Sequence, residues 1–205
     1  MNDPIKSVQD DLAFMKTLVD KGGHAQVAGG AVFLAGGLLY GIQCLYHWGQ
    51  MKGVSLPEPW NGAFVIGVTV AFLGILAWVL WRDRKVAGSG LMARALNAVF
   101  SSIGMANLVM VLVFGVNSAR MEDFRIWMFY APVIFALQGA AWVTVWQLRR
   151  RAWQGVVGFG WLAAAAALGL SIGSAEAYVL IAAAALFGLM ALPGWVMMRL
   201  ARKTA

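Results

Sequence analysis

The sequence predicts an all-α membrane protein in which six transmembrane helices form three hairpins, with both termini in the cytoplasm and an amphipathic helix at the N-terminus. The first observation is composition, since 61% of the 205 residues are hydrophobic. The second is that apolar residues fall in six stretches, each near the roughly 20 residues that cross a hydrocarbon core about 30 Å thick. The third is that the basic residues between these stretches fall on alternate sides.

The six predicted spans account for most of the chain. Their bounds are 27–48, 62–81, 98–117, 125–147, 152–173 and 177–198. Tryptophans lie near span ends, where an indole can bury its ring and keep its N–H in water. The sequence therefore predicts three regions. They are a cytoplasmic helix with a glycine-rich linker over 1–26, a transmembrane domain over 27–198 and a basic cytoplasmic tail over 199–205.

The distribution of Lys and Arg predicts the orientation of the spans. The N-terminal segment, the second loop, the fourth loop and the tail together hold 13 of the 16 basic residues, and the other three are Lys52, Arg120 and Arg125. Because short loops rich in Lys and Arg stay in the cytoplasm, both termini are expected inside. The same pattern accounts for the net charge of +7, so the basic composition does not indicate a nucleic-acid partner.

The first 26 residues predict an amphipathic helix over 4–21. Asp3 can cap this helix, Pro4 suits its first turn, and Gly22-Gly23 would end it. Steps of 3, 4, 3 and 4 place five apolar side chains on one stripe: Ile5, Val8, Leu12, Met15 and Val19. One interpretation is a helix lying in the cytoplasmic interface or against the bundle. The other is a helix that docks on another protein through the same stripe.

Glycines form a smooth face on the first span and a smaller patch on the fifth. The predicted packing residues are Gly29, Gly30, Gly36, Gly37 and Gly41 on the first span, and Gly169 and Gly173 on the fifth. A face without side chains lets another helix approach closely. Three interpretations are open: packing within the chain, association with a second copy or another membrane subunit, and a groove for a lipid or substrate.

Few polar side chains lie deep in the predicted spans. Asn107 and Gln138 lie near the middle of the third and fourth spans, where they predict either a mutual hydrogen bond or ligand recognition. Tyr40 and Gln43 lie in the outer half of the first span, and Tyr130 lies in the outer part of the fourth. These five residues are the candidate ligand-binding set, which could line an outward-facing pocket for a small molecule or lipid.

Several function classes are disfavoured by the residues present. No Asp, Glu, Lys or Arg lies near the centre of a span, which disfavours proton-driven transport. Cys44, His47 and Met51 share one helix face and could bind copper(I), but this spacing is a weak signal, and no metal or cofactor is expected. The two histidines lie too far apart to hold a haem, and no His-Glu-x-x-His run is present. The sequence therefore predicts a protein that is not an enzyme.

Two resemblances can be stated on particular residues. The run from Asp10 to Lys16, followed by Gly22-Gly23 and a first span with paired glycines, resembles the start of small uncharacterised inner-membrane proteins of proteobacteria. This likeness covers the N-terminal quarter and implies a bacterial inner membrane. In architecture the chain is also similar to the substrate-binding components of energy-coupling-factor transporters, whose first helix docks through small residues. The small residues in that pattern here are Ala31, Ala35, Gly37 and Gly41.

Two hypotheses of function follow from these observations. The favoured one is a non-catalytic integral membrane subunit or scaffold that engages a partner, or a second copy of itself, through the glycine-rich first helix. The alternative is a small-molecule or lipid binding or transport component with an outward-facing pocket. In both, the chain is embedded in the lipid bilayer.

Overall fold

The computed structural model describes the backbone of residues 4–54, 56–83 and 91–203, and the side chains of 27–54, 56–82 and 95–201. All regular secondary structure in these ranges is helical. The α-helices are α1 (Pro4–Met51), α2 (Trp60–Asp83), α3 (Leu91–Met121), α4 (Phe124–Met128), α5 (Tyr130–Arg149), α6 (Ala152–Leu170), α7 (Ala175–Ala185) and α8 (Leu192–Lys203). A π-helix, Leu186–Ala191, joins α7 to α8.

Within the described residues, six helical segments are long and apolar enough to cross a membrane, which confirms the predicted number. Spans 1 to 6 are Val27–Met51, Trp60–Arg82, Ala95–Met121, Phe124–Arg149, Ala152–Leu170 and Ala175–Ala201. Most run a few residues beyond the predicted bounds, because a helix continues past its apolar stretch until turn residues stop it. Span 5 is shorter than predicted, since the chain turns at Ser171.

Helix α1 is continuous through the position where the sequence predicted a break. It runs from Pro4 to Met51 and includes Gly22-Gly23. A glycine inside a helix costs about 1 kcal/mol relative to alanine, which weakens a helix without forbidding it. The prediction that these glycines end the helix was therefore wrong. The five side chains of the N-terminal stripe (Ile5, Val8, Leu12, Met15 and Val19) lie outside the described residues.

The six spans contact one another in the order 2, 1, 6, 5, 4 and 3, and this arrangement, with spans 2 and 3 at its two ends, is called the ring. Extensive contacts join spans 1 and 2, 3 and 4, 4 and 5, 5 and 6, and 6 and 1. Spans 2 and 3 are the neighbouring pair that lacks such contact in the described part of the chain. Span 3 is the least buried of the six, since none of its most apolar stretch is buried, against 39% for span 5.

The ring has two ends, named here by residues that lie at them. The Met51 end carries the connections between spans 1 and 2, 3 and 4, and 5 and 6, and the Arg149 end carries the connection between spans 4 and 5. At the Met51 end, the Lys52 ammonium lies 2.6 Å from Glu176 Oε1, which also accepts a hydrogen bond from Trp48 Nε1 at 3.1 Å. These contacts join the first connection to the start of span 6.

Spans 1 and 6 approach so closely that glycine is required at the contact. A Cβ added to Gly37 would lie 2.7 Å from the Leu186 carbonyl oxygen, and one added to Gly30 would lie 2.7 Å from that of Gly194. Gly41 is covered in the same way by the ring of Phe187. The glycine face of the first span is therefore filled by span 6 of the same chain.

An aromatic cluster holds spans 1, 3 and 4 together towards the Arg149 end. The ring of Phe33 makes edge contacts with Phe100 and Trp142, each with centroids 5.5 Å apart, and the last two rings are 5.9 Å apart. Trp142 is only 1% exposed. Edge-to-face rings stabilise such contacts by about 0.5–1.5 kcal/mol beyond burial. This cluster therefore joins span 1 directly to spans 3 and 4.

The π-helix of span 6 lies just before Pro193. Proline has no N–H, so the carbonyl of Leu189, four residues earlier, loses its usual helical donor. The indole N–H of Trp161 in span 5 donates to that carbonyl at 3.1 Å. Span 6 is therefore distorted before Pro193 as a π-helical turn, and a neighbouring span supplies the missing hydrogen bond.

Pro132 in span 4 also has an aromatic side chain that donates a hydrogen bond to the carbonyl four residues before it. The helical segments α4 and α5 are separated at Phe129, and the carbonyl freed by Pro132 is that of Met128. The hydroxyl of Tyr178 in span 6 donates to this carbonyl at 2.6 Å. Unpaired backbone groups are costly in a bilayer, so an aromatic donor beside each of these two prolines stabilises the bundle.

Candidate functional site

Three of the five candidate ligand-binding residues lie together in the interior of the ring. The hydroxyl of Tyr130 donates to Asn107 Oδ1 at 2.5 Å, which joins spans 3 and 4. Tyr40 of span 1 lies within electrostatic range of the Tyr130 hydroxyl. The Tyr40 side chain also lies near that of Thr69 on span 2, whose hydroxyl donates to the Val65 carbonyl. Polar groups from four different spans therefore surround one region beside the open junction.

The other two candidates are glutamines with unpaired oxygens. Gln43 Oε1 and Gln138 Oε1 are buried and have no hydrogen-bond partner among the described residues. The predicted hydrogen bond between Asn107 and Gln138 was wrong, because Asn107 accepts from Tyr130 instead. A buried polar atom without a partner costs about 1–3 kcal/mol. Each amide oxygen could therefore accept a hydrogen bond from a ligand.

A polar face on span 1 connects this interior to the Met51 end. Steps of 3, 4 and 3 residues place four polar side chains on one side of the helix: Tyr40, Gln43, His47 and Gln50. On span 2, Thr69 follows Val65 by four residues, so the two side chains lie on the same side of that helix. Polar groups thus extend along the first two spans from the end of the bundle to its middle.

At the Met51 end the polar face terminates in a hydrogen-bonded network. Asn61 Oδ1 accepts from Gln50 Nε2 at 2.7 Å and from the Tyr46 hydroxyl at 3.0 Å. Gln50 Oε1 lies 2.8 Å from His47 Nδ1. Asn61 Nδ2 donates to Glu58 Oε1 at 3.1 Å. The network fixes the orientation of both amides and of the imidazole.

An open groove of about 350 Å³ lies over this network. It is lined by His47, Gln50, Glu58, Asn61, Gly62, Val65 and Ile66. That volume is at the lower end of the range found for small-molecule sites. Thr69 and Tyr40 lie one to two turns further into the bundle on the same two helices.

The remaining sequence candidates lie elsewhere. The glycines of the first span pack against span 6, whereas a Cβ at Gly169 or Gly173 would meet nothing within 4 Å, so these two form no contact of that kind with the described residues. Cys44 packs against the apolar core, and His47 is bonded to Gln50. Within the described residues, His, Cys, Asp and Glu form no cluster of three that could hold a metal ion.

Sequence reasoning missed four residues of the hydrogen-bonded network. Tyr46, Gln50, Glu58 and Asn61 were not selected, because they lie at or beyond the predicted span ends, where polar residues are ordinary. One signal was available, since Gln50 continues the spacing of Tyr40, Gln43 and His47. Nothing in the sequence indicated that Asn61 would meet that face.

Comparison of the chain with protein-family models, with curated proteins and with solved structures found no match.

Proposed function

We propose that this chain is a binding or transport component for a small amphipathic molecule or lipid in the inner membrane of a bacterium. Its six spans form three hairpins with both termini in the cytoplasm, so that the Met51 end faces outwards. The ligand lies between spans 2 and 3, with its apolar part towards the bilayer and its polar part on the interior residues. The protein is not an enzyme in this proposal.

The observation that carries the proposal is the open junction between spans 2 and 3 beside a row of polar groups. Every other neighbouring pair in the described ring is packed, so this junction is where a bilayer molecule reaches the interior most directly. Thr69 of span 2 is exposed, Tyr40 of span 1 lies near both Thr69 and Tyr130, and Tyr130 donates to Asn107 of span 3. Pockets that hold small molecules combine apolar walls with a few fixed polar groups, as this region does.

The chemistry of the interior favours a ligand with hydrogen-bond donors. The amide oxygens of Gln43 and Gln138 have acceptor capacity that no described residue uses. No charged side chain lies near the middle of a span, so a fully charged group would be poorly held at this depth. Hydroxyl, amide or amine groups on an amphiphile would meet the available acceptors.

The alternative of a scaffold that engages partners through the glycine-rich first helix is less well supported. Gly30, Gly37 and Gly41 are covered by span 6 of the same chain, so a second helix could reach that face only by displacing span 6. Docking through the N-terminal stripe of α1 stays a prediction.

The proposal is tested by native mass spectrometry of the protein released gently from membranes. We expect one small molecule or lipid per chain in the wild type, and at least a tenfold lower bound fraction in Gln43→Leu, because the amide oxygen that accepts from the ligand is lost. Thr144→Val is the matched control, since the one hydrogen bond of the Thr144 hydroxyl to a described residue goes to Ala140 O of its own helix at 2.9 Å. A wild type without any stoichiometric adduct would overturn the proposal.

A further inference from the structure

We propose that the groove at the Met51 end binds a positively charged ammonium head group, with the Glu58 carboxylate and His47 Nε2 as its acceptors. This inference rests on the proposed function and adds the chemical class of the ligand: a single-chain or double-chain amphiphile with a protonated amine. Its ammonium group lies on the groove, and the rest of the molecule, with any hydroxyl or amide group it carries, follows span 2 towards the interior polar residues and the open junction.

The hydrogen-bond network leaves two acceptors free at the groove, His47 Nε2 and one oxygen of the Glu58 carboxylate. Gln50 Nε2 donates to Asn61, so Gln50 Oε1 faces His47 Nδ1 as an acceptor at 2.8 Å. His47 must then carry its proton on Nδ1, and in the neutral ring Nε2 is left with a free lone pair. Asn61 Nδ2 donates a hydrogen bond to Glu58 Oε1, which leaves the second carboxylate oxygen available.

The charge at the groove is negative. Glu58 is the only Asp, Glu, Lys or Arg among the seven residues that line the groove, and it forms no ion pair with a described residue. The nearby Lys52 is engaged by Glu176 at 2.6 Å. The first turn of α2 contributes about half a positive charge through its backbone dipole, which offsets only part of the carboxylate charge. A cationic group is therefore favoured over an anionic one.

The apolar side of the groove gives the ligand its amphipathic character. Val65 and Ile66 line the groove below the polar network, and Ile66 is 67% exposed. Thr69 follows one turn further along the same helix towards the open junction. A hydrocarbon chain attached to the ammonium group would pass over these side chains and into lipid, where its burial adds about 0.8 kcal/mol per methylene.

The experiment compares three probes with the same chain and different heads: dodecylamine, dodecanol and dodecanoate. The full chain is placed in phosphatidylcholine nanodiscs at pH 7.5, and saturable binding above that of empty nanodiscs is measured by native mass spectrometry. We expect one dodecylamine per chain, bound at least tenfold more tightly than either other probe. Glu58→Gln should abolish this preference, and Glu58→Asp should keep most of it.

Glu122→Gln is the matched control, because Glu122 is also an exposed acid at the Met51 end but does not line the groove. Equal saturable binding of dodecylamine and dodecanol, or tighter binding of dodecanoate, would overturn the assignment of a cationic head and leave the proposed function standing. A preference for dodecylamine that survives in Glu58→Gln would also overturn the assignment of the head group to Glu58. Absence of saturable binding for all three probes would also overturn this inference. The proposed function would still be tested separately, by whether the protein released from membranes carries a ligand.

Discussion

Replacing Gly37 with leucine is expected to unfold or severely destabilise the bundle. The position faces backbone atoms of span 6, and even a single added carbon would lie 2.7 Å from the Leu186 carbonyl oxygen. Overpacking of a tight core costs about 1–3 kcal/mol and sometimes more, and a contact with backbone cannot be relieved by a rotamer change. We therefore expect Gly37→Ala to lose about 1–3 kcal/mol of stability and Gly37→Leu to lose more.

The measurement is thermal unfolding in mild detergent, followed by circular dichroism and by size-exclusion chromatography. Gly74→Leu on span 2 is the matched control, because a Cβ there would meet nothing within 4 Å. We expect this control to be as stable as the wild type, or slightly more so, since leucine is the better helix former. A Gly37→Leu protein with an unchanged unfolding temperature would mean that spans 1 and 6 do not pack in this way.

Removing the indole donor with Trp161→Phe is expected to lower the stability by about 1–3 kcal/mol. Trp161 is 1% exposed, and its N–H is the donor for the Leu189 carbonyl that Pro193 leaves unpaired. Phenylalanine keeps much of the apolar contact and removes the hydrogen bond. The measurement is the unfolding free energy in detergent or bicelles, obtained for the variant and the wild type.

A double-mutant cycle separates the hydrogen bond from the loss of ring volume. In Pro193→Ala the backbone N–H of residue 193 is restored, so the Leu189 carbonyl has a second donor and Trp161→Phe should cost about 1 kcal/mol less. The pair Tyr178→Phe and Pro132→Ala should behave in the same way. The crossed pairs, such as Trp161→Phe with Pro132→Ala, are controls and should be additive. Equal costs of Trp161→Phe with and without Pro193 would contradict the proposed pairing.

The sequence was sufficient to predict six apolar helical segments, because hydrophobic length is a local property that each segment displays by itself. It was not sufficient for the arrangement of those segments. Gly30, Gly37 and Gly41 indicated a close helix contact, but a smooth face fits any helix, and only the folded chain shows Gly194 and Leu186 of span 6 against it. The break predicted at Gly22-Gly23 was wrong, since glycine weakens a helix without ending it.

The candidate site was predicted in part for a similar reason. Tyr40, Gln43 and Tyr130 were found because polar side chains are rare inside an apolar span. Asn107 was assigned the wrong partner, since depth in the membrane limits which residues can meet but does not choose among them. The groove residues Glu58 and Asn61 were missed because their role depends on the way the first connection folds back over span 1.

The central claim is that bilayer molecules reach the interior of the ring through the junction of spans 2 and 3. It is tested most directly by photolabelling the reconstituted protein with a diazirine-bearing lipid and mapping the labelled residues by mass spectrometry. Leu170, which is 89% exposed, should be labelled in any case and serves as the positive control. We expect label on the interior residues Tyr40 and Tyr130 as well as on Thr69. Label confined to outward-facing residues such as Leu170, with none on the interior pair, would contradict the account.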